Sequence, residues 1–116
     1  MLTNRQKGEQ GEIKAMGFLE DKGYYIIDKN YRTRSGEIDI IAEYNNAIVF
    51  VEVKLRSSLR FGVPSEAVNF KKASKIKTVA FSYLKDNNLL DHTVRFDIIE
   101  VYKSENFRIN HIENAF

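Results

Sequence analysis

The chain has 116 residues, 43% of them hydrophobic and 29% charged, with a formal net charge of +2 and no cysteine. That length fits a single domain around one core, and no apolar run approaches the roughly 18 residues of a membrane span, so no membrane partner is expected. Without cysteine there is no disulfide, thiolate zinc site or thiol nucleophile, so any metal must be held by oxygen or imidazole, and oxygen favours Mg²⁺ or Mn²⁺.

Met1 to Gln10 carry charges and lack the apolar stretch of a secretory signal, which points to the cytoplasm. From about Arg5 to Lys22 the spacing of Ile13, Met16 and Leu19 predicts a helix, with Gly23 as its C-terminal cap. Gly8, Gly11 and Ala15 give it a narrow face, which points to a close approach of backbone or ligand; low helix stability is the plainer alternative. Tyr24 to Asp28, Glu37 to Tyr44 and Ala47 to Leu55 are rich in β-branched and aromatic residues and predict an antiparallel meander. Asn45-Asn46 suits a tight hairpin between the last two, because asparagine tolerates positive φ. A second helix is expected from about Ser65 to Lys85, with Ser65 as N-cap, Glu66 at the positive end of the dipole, and a buried stripe of Val68, Ile76, Val79, Tyr83 and Leu84. Thr93 to Tyr102 and Phe107 to Ile112 close the domain, giving the order αβββαββ in two or three layers.

The chemistry is concentrated in Gly36-Glu37-Ile38-Asp39-Ile40-Ile41 and, after the hairpin, Phe50-Val51-Glu52-Val53-Lys54. Strand alternation puts Glu52 and Lys54 on one face, about 7 Å apart along the chain, with Val53 on the other. On the preceding strand Glu37, Asp39 and Ile41 are expected to share a face, opposite Ile38, Ile40 and Ala42. A hairpin closed at Asn45-Asn46 brings Asp39 and Glu52 to the same level of the sheet. Two carboxylates meeting among Ile, Val and Phe are costly unless a divalent cation lies between them. Mg²⁺ commonly takes one or two carboxylates and completes its shell with water and phosphate oxygens, and Lys54 beside it suits phosphodiester hydrolysis. An exposed strand bearing an ordinary Glu52–Lys54 pair is the bland reading of the same residues.

These two strand motifs resemble the restriction-endonuclease-like PD-(D/E)xK superfamily. More closely, the chain resembles the YraN-type family (UPF0102), itself similar to archaeal Holliday-junction resolvases. The likeness extends over Gly8, Gly11 and Glu12, Asn30-Tyr31-Arg32, Phe61-Gly62 and Glu66-Ala67-Val68. It departs at the name motif, where Asp39 follows Ile38 and not proline. The resemblance implies a mixed β-sheet flanked by helices, with metal held by Asp39, Glu52 and the main-chain carbonyl of Val53. It also implies Lys54 as the catalytic lysine, Glu12 as an auxiliary acid from the first helix, and a homodimer with two sites acting on branched DNA.

Basic residues flank the acids. Arg32, Arg34, Arg56 and Arg60, with Lys71, Lys72 and Lys75, are candidates to hold nucleic-acid phosphates, although for any one lysine ordinary surface charge explains it as well. Tyr31 and Phe61 are candidates for base stacking, though core-edge packing is commoner. Glu37 is a secondary acid, and His92 and His111 are isolated in sequence, with no chemistry assigned. The expectation is a metal-dependent endonuclease on branched or otherwise non-duplex DNA. A noncatalytic nucleic-acid-binding module and a protein-interaction subunit with a vestigial site are the alternatives.

Overall fold

The computed structural model describes residues 3–56, 70–103 and 106–116. Expectations on Arg60, Phe61, Gly62, Ser65, Glu66, Ala67 and Val68 lie outside the described residues. Helix α1 (Asn4–Asp21) is followed by β1 (Tyr25–Thr33), β2 (Gly36–Tyr44), β3 (Ala47–Arg56), α2 (Phe70–Asp86), β4 (Thr93–Tyr102) and β5 (Arg108–Ile112). The five strands form one mixed sheet in the order β1-β2-β3-β4-β5. The first three make the expected antiparallel meander, β4 runs parallel to β3, and β5 returns antiparallel to β4. A parallel neighbour requires a crossover, and α2 supplies it.

Local chemistry sets the element ends. Thr3 and Gln6 form a capping box at the start of α1, with the Thr3 hydroxyl accepting from the Gln6 N–H at 3.1 Å and the Gln6 side chain accepting from the Thr3 N–H at 2.9 Å. At the other end Gly23 takes φ 92°, and the N–H groups of Gly23 and Tyr24 donate to the carbonyls of Glu20 and Leu19, each at 3.0 Å. Asn88 (φ 57°) ends α2 in the same way, its neighbour Leu89 donating to the Leu84 carbonyl at 2.8 Å. Asn45 and Asn46 adopt φ 49° and 65° and close the β2–β3 hairpin as expected.

One helix covers each face of the sheet. Ile76, Val79, Ala80, Tyr83 and Leu84 of α2 pack on Ile38, Ile41, Ile48, Phe50 and Ile98. Ala15 and Leu19 of α1 pack on Ile40, Ala42, Val49, Val51, Ile99 and Val101. Each of the Val, Leu, Ile and Phe side chains among them taken out of water contributes roughly 1.5–3 kcal/mol. Along β3 the even positions therefore face α2 and the odd positions face α1.

Several expectations are corrected here. Ile13 is 61% exposed, because Gly11, Ala15 and Leu19 form the buried stripe of α1 and Ile13 lies off it. β1 continues five residues past Asp28, held by pairing of Tyr31 with Ile38 and Thr33 with Gly36. Phe107 precedes β5 with φ 61°, outside extended geometry. Tyr31 is a core-edge residue, its ring packed edge-on against Tyr83 at 5.1 Å. A Cβ on Gly11 meets Leu55 at an ordinary 3.5 Å and one on Gly8 meets nothing within 4 Å, so neither glycine is there to admit a neighbouring backbone. Finally, Ile38 does not share a face with Ile40 and Ala42: it joins the α2-side core, and they join the α1-side core. The alternation breaks at Asp39, opposite Asn30, which takes a left-handed φ of 52° within β1.

Candidate metal and nuclease site

The break at Asp39 coincides with a fork in the sheet. Pairing of β2 with β3 ends at Ile40 and Val51, after which β2 stays with β1 and β3 stays with β4. Asp39 and Glu52 are the next residues on the two diverging strands. At the fork a β3 amide must find another acceptor, and the Val53 N–H donates to Asp39 Oδ2 at 2.8 Å. One Asp39 oxygen is thereby fixed in place.

Burial, then the Glu52 charge, push the Asp39 carboxyl up from 3.8 to about 7; the Val53 N–H opposes this, and Glu12 and Glu37 add to it. Carboxylates facing one another in a desolvated place hold a proton between them or attract a cation. Glu12, half-buried on α1, also has its pKa raised, by burial first, against a hydrogen bond from Asn30 that lowers it, with Glu37 adding repulsion. It lines a cavity of about 280 Å³ with Gly8, Asn30, Arg32 and Glu37, on the acidic side of the fork.

Glu52 is 11% exposed and its Oε1 lies 3.0 Å from Lys72 Nζ, across from α2. Lys54 is half-buried two residues further along the same face and, among the described residues, makes neither hydrogen bond nor ion pair. The donors here are hard oxygens, the chemistry that Mg²⁺ or Mn²⁺ takes. Among the described residues no three His, Cys, Asp or Glu side chains gather as a ready-made metal cage. An ion at the fork would find two protein carboxylates, Asp39 and Glu52, the number Mg²⁺ commonly takes.

The basic candidates separate into distinct places. Arg32 pairs with Glu37, Nε to Oε2 at 2.9 Å. Arg56 pairs with Glu100 at 3.3 Å, and Lys72 lies on Glu52. Arg34, Lys71 and Lys75 line a separate groove between the β1–β2 turn and α2. His92 pairs with Asp91 in solvent.

The model of the uncharacterised protein family UPF0102 matches residues 11–101. The chain belongs to the UPF0102 family. A UPF0102 protein of Alkaliphilus oremlandii is 55% identical over 116 residues, covering 97% of this chain and 99% of the relative. One of Clostridioides difficile is 53% identical over 115 residues, covering 99% and 100%, and one of Caldanaerobacter subterraneus is 50% identical over 119 residues, covering 99% and 98%. Among solved structures, SfsA of Pyrococcus furiosus in complex with Ca²⁺ aligns at 16% identity with a TM-score of 0.34, over 99% of this chain and 65% of that one, a likeness too slight to carry function.

Two acids of this UPF0102 chain escaped the sequence reading. Glu100 is 1% exposed, stands beside Lys54 in the β3–β4 register, and accepts from Asn110 at 2.8 Å and Tyr102 at 3.2 Å as well as from Arg56. Asp97 is fully buried on the opposite face, where Arg95 donates to both its oxygens at 2.9 and 2.8 Å, His111 lies 2.7 Å away and the Asn114 N–H donates at 3.1 Å. The signal for both was present: single charges inside Phe96-Asp97-Ile98-Ile99-Glu100-Val101, a run otherwise apolar enough for a central strand.

Proposed function

We propose that this UPF0102 chain is a metal-dependent endonuclease of the restriction-endonuclease-like type that hydrolyses phosphodiester bonds in branched or otherwise non-duplex DNA. The observation that carries the reading is the Asp39 carboxyl, held at the strand fork beside Glu52 with its pKa pushed up to about 7. Asp39, Glu52 and the main-chain carbonyl of Val53 would hold Mg²⁺ or Mn²⁺, which when bound supplies an activated water and a positive charge toward phosphate oxygens. Lys54, unpaired among the described residues, is free to orient that water or meet the charge that develops on phosphorus oxygens. Glu12 adds acidity from α1. Arg56, pinned by Glu100, holds a neighbouring phosphate. Lys72 pairs with Glu52 over a half-exposed side chain, an interaction worth at most about 1 kcal/mol, so a cation and substrate displace it readily.

That same pair favours a second reading, a noncatalytic nucleic-acid-binding module in which the Lys72 ammonium takes the cation's place. Incubation of branched, flapped, single-stranded and duplex DNA with Mg²⁺ or Mn²⁺ separates the two. The enzyme cuts, and Asp39→Asn, Glu52→Gln and Lys54→Ala each reduce cutting by at least about 100-fold while keeping the wild-type circular-dichroism melt. Binding without metal-dependent cutting in any version makes the noncatalytic reading the right one.

A further inference from the structure

Beside the fork, a groove of about 540 Å³ opens between the β1–β2 turn and α2. Arg34, Lys71 and Lys75 reach into it with the hydroxyls of Ser35 and Ser74, and no carboxylate among the described residues lines it. Several arginines elsewhere are matched: Arg5 to Glu9, Arg32 to Glu37, Arg56 to Glu100, Arg95 to Asp97. In the groove none of the three pairs with an acid among the described residues. Three cations around one concavity repel one another, and an anion relieves that repulsion. On the rim stands Phe70, the most exposed large hydrophobic side chain among the described residues at 89%. A free aromatic face beside phosphate-binding cations is the arrangement that holds a strand by its backbone and stacks its bases.

We propose that this groove binds a single-stranded segment of nucleic acid, Arg34, Lys71 and Lys75 taking successive phosphates and the Phe70 ring stacking on an unpaired base. The inference deepens the hydrolysis reading by naming what the substrate must offer. Lys72, next along α2 from Lys71, already reaches Glu52, so a strand in the groove lies against the helix that borders the fork. Duplex DNA keeps its bases stacked on one another and offers Phe70 no face, so the groove selects the unpaired strand.

The test is fluorescence anisotropy in EDTA, where nothing is cut, using wild-type protein, a labelled oligothymidylate of about 16 nucleotides and a duplex of equal length. Phe70→Ala weakens oligothymidylate binding about 10-fold, leaves duplex binding within about 2-fold, and Phe70→Trp restores the single-strand affinity. Arg34→Ala, Lys71→Ala and Lys75→Ala each lower the salt slope for the single strand by roughly 0.7. All four side chains are on the surface, and unchanged melting curves establish that folding is intact. Equal losses on both probes for Phe70→Ala, an unchanged salt slope in the triple cation variant, or no oligothymidylate binding by wild type at low salt overturns the proposal. Because nothing here depends on turnover, a chain that binds as described yet never cuts refutes hydrolysis and not the groove. Cutting that survives all four alanine variants refutes the groove and not hydrolysis.

Discussion

Asp39 answers two opposed demands: its Oδ2 completes the hydrogen bonding of the Val53 amide, and its charge faces Glu52 in a partly dry place. Folded Asp39 keeps its proton up to about pH 7, whereas an unfolded aspartate releases it near 4. Between those values the folded state binds more protons than the unfolded state, so the residue's contribution to stability falls as pH rises and levels off above about 7. Asparagine keeps the acceptor for Val53 and removes the charge. In metal-free buffer, urea melts should give Asp39→Asn a gain over wild type that is near zero at pH 4 and grows to the order of 2–4 kcal/mol at pH 8. A gain independent of pH would mean that Asp39 is not strained by its neighbours. The placement of this residue beside Glu52 was legible because carboxylates at the same level of adjoining strands can be counted from a two-residue hairpin. Its environment was not legible, since the parity break at Asp39 depends on the left-handed backbone of Asn30 on a third strand.

At the scale of elements, caps and periods were easy to read: Gly23, the Asn45-Asn46 turn, the α2 stripe and all of β4 are set by local chemistry. The stripe of α1 was misread because glycine and alanine form its buried side, and small residues carry little hydrophobic signal. β5 is the element least explained by its own pattern, a five-residue edge strand with half-buried and exposed positions. The Asp97 cluster ties it down. His111 of β5 meets Asp97 on β4, the other ring nitrogen lies 2.9 Å from Lys22 Nζ beyond α1, and Arg95 spans from Asp97 to Glu113 at 3.3 Å. Burial raises the Asp97 pKa, but the hydrogen bonds from His111, Arg95 and the Asn114 amide outweigh it and hold the group below its usual range. A depressed carboxyl contributes stability above its unfolded value and loses it as pH falls through the folded one, so this cluster weakens below about pH 4. Asp97→Asn removes the buried one of Arg95's two carboxylate partners, leaving the exposed Glu113, and should cost up to about 3–5 kcal/mol at pH 7 in urea melts, with β5 amides losing hydrogen-exchange protection first. A loss under about 1 kcal/mol would show that the cluster is a surface-like pair despite its burial.

For the whole molecule, the two acid clusters differ in what their charges meet. The Asp97 carboxylate is saturated with donors and stabilises the fold on its own, whereas the Asp39 carboxyl is short of positive charge and leaves the fold less stable than it can be at neutral pH. On the proposed function, this deficit beside Lys54, unpaired among the described residues, is what a divalent cation would answer. Binding to the folded chain alone stabilises it by RT ln(1 + [L]/Kd), about 1.4 kcal/mol at ten times Kd, which for a domain of this size raises the melting temperature by roughly 4–8 °C. Below pH 7 the ion competes with the Asp39 proton, so the rise produced by Mg²⁺ or Mn²⁺ should be large at pH 8 and small at pH 5.5. Asp39→Asn and Glu52→Gln should abolish it, while Asp97→Asn, whatever its own melting temperature, should retain it. Magnesium and manganese raising every variant alike, or no rise at pH 8 with wild type, would leave the fork as a strained carboxylate pair whose repulsion has no cation to answer it.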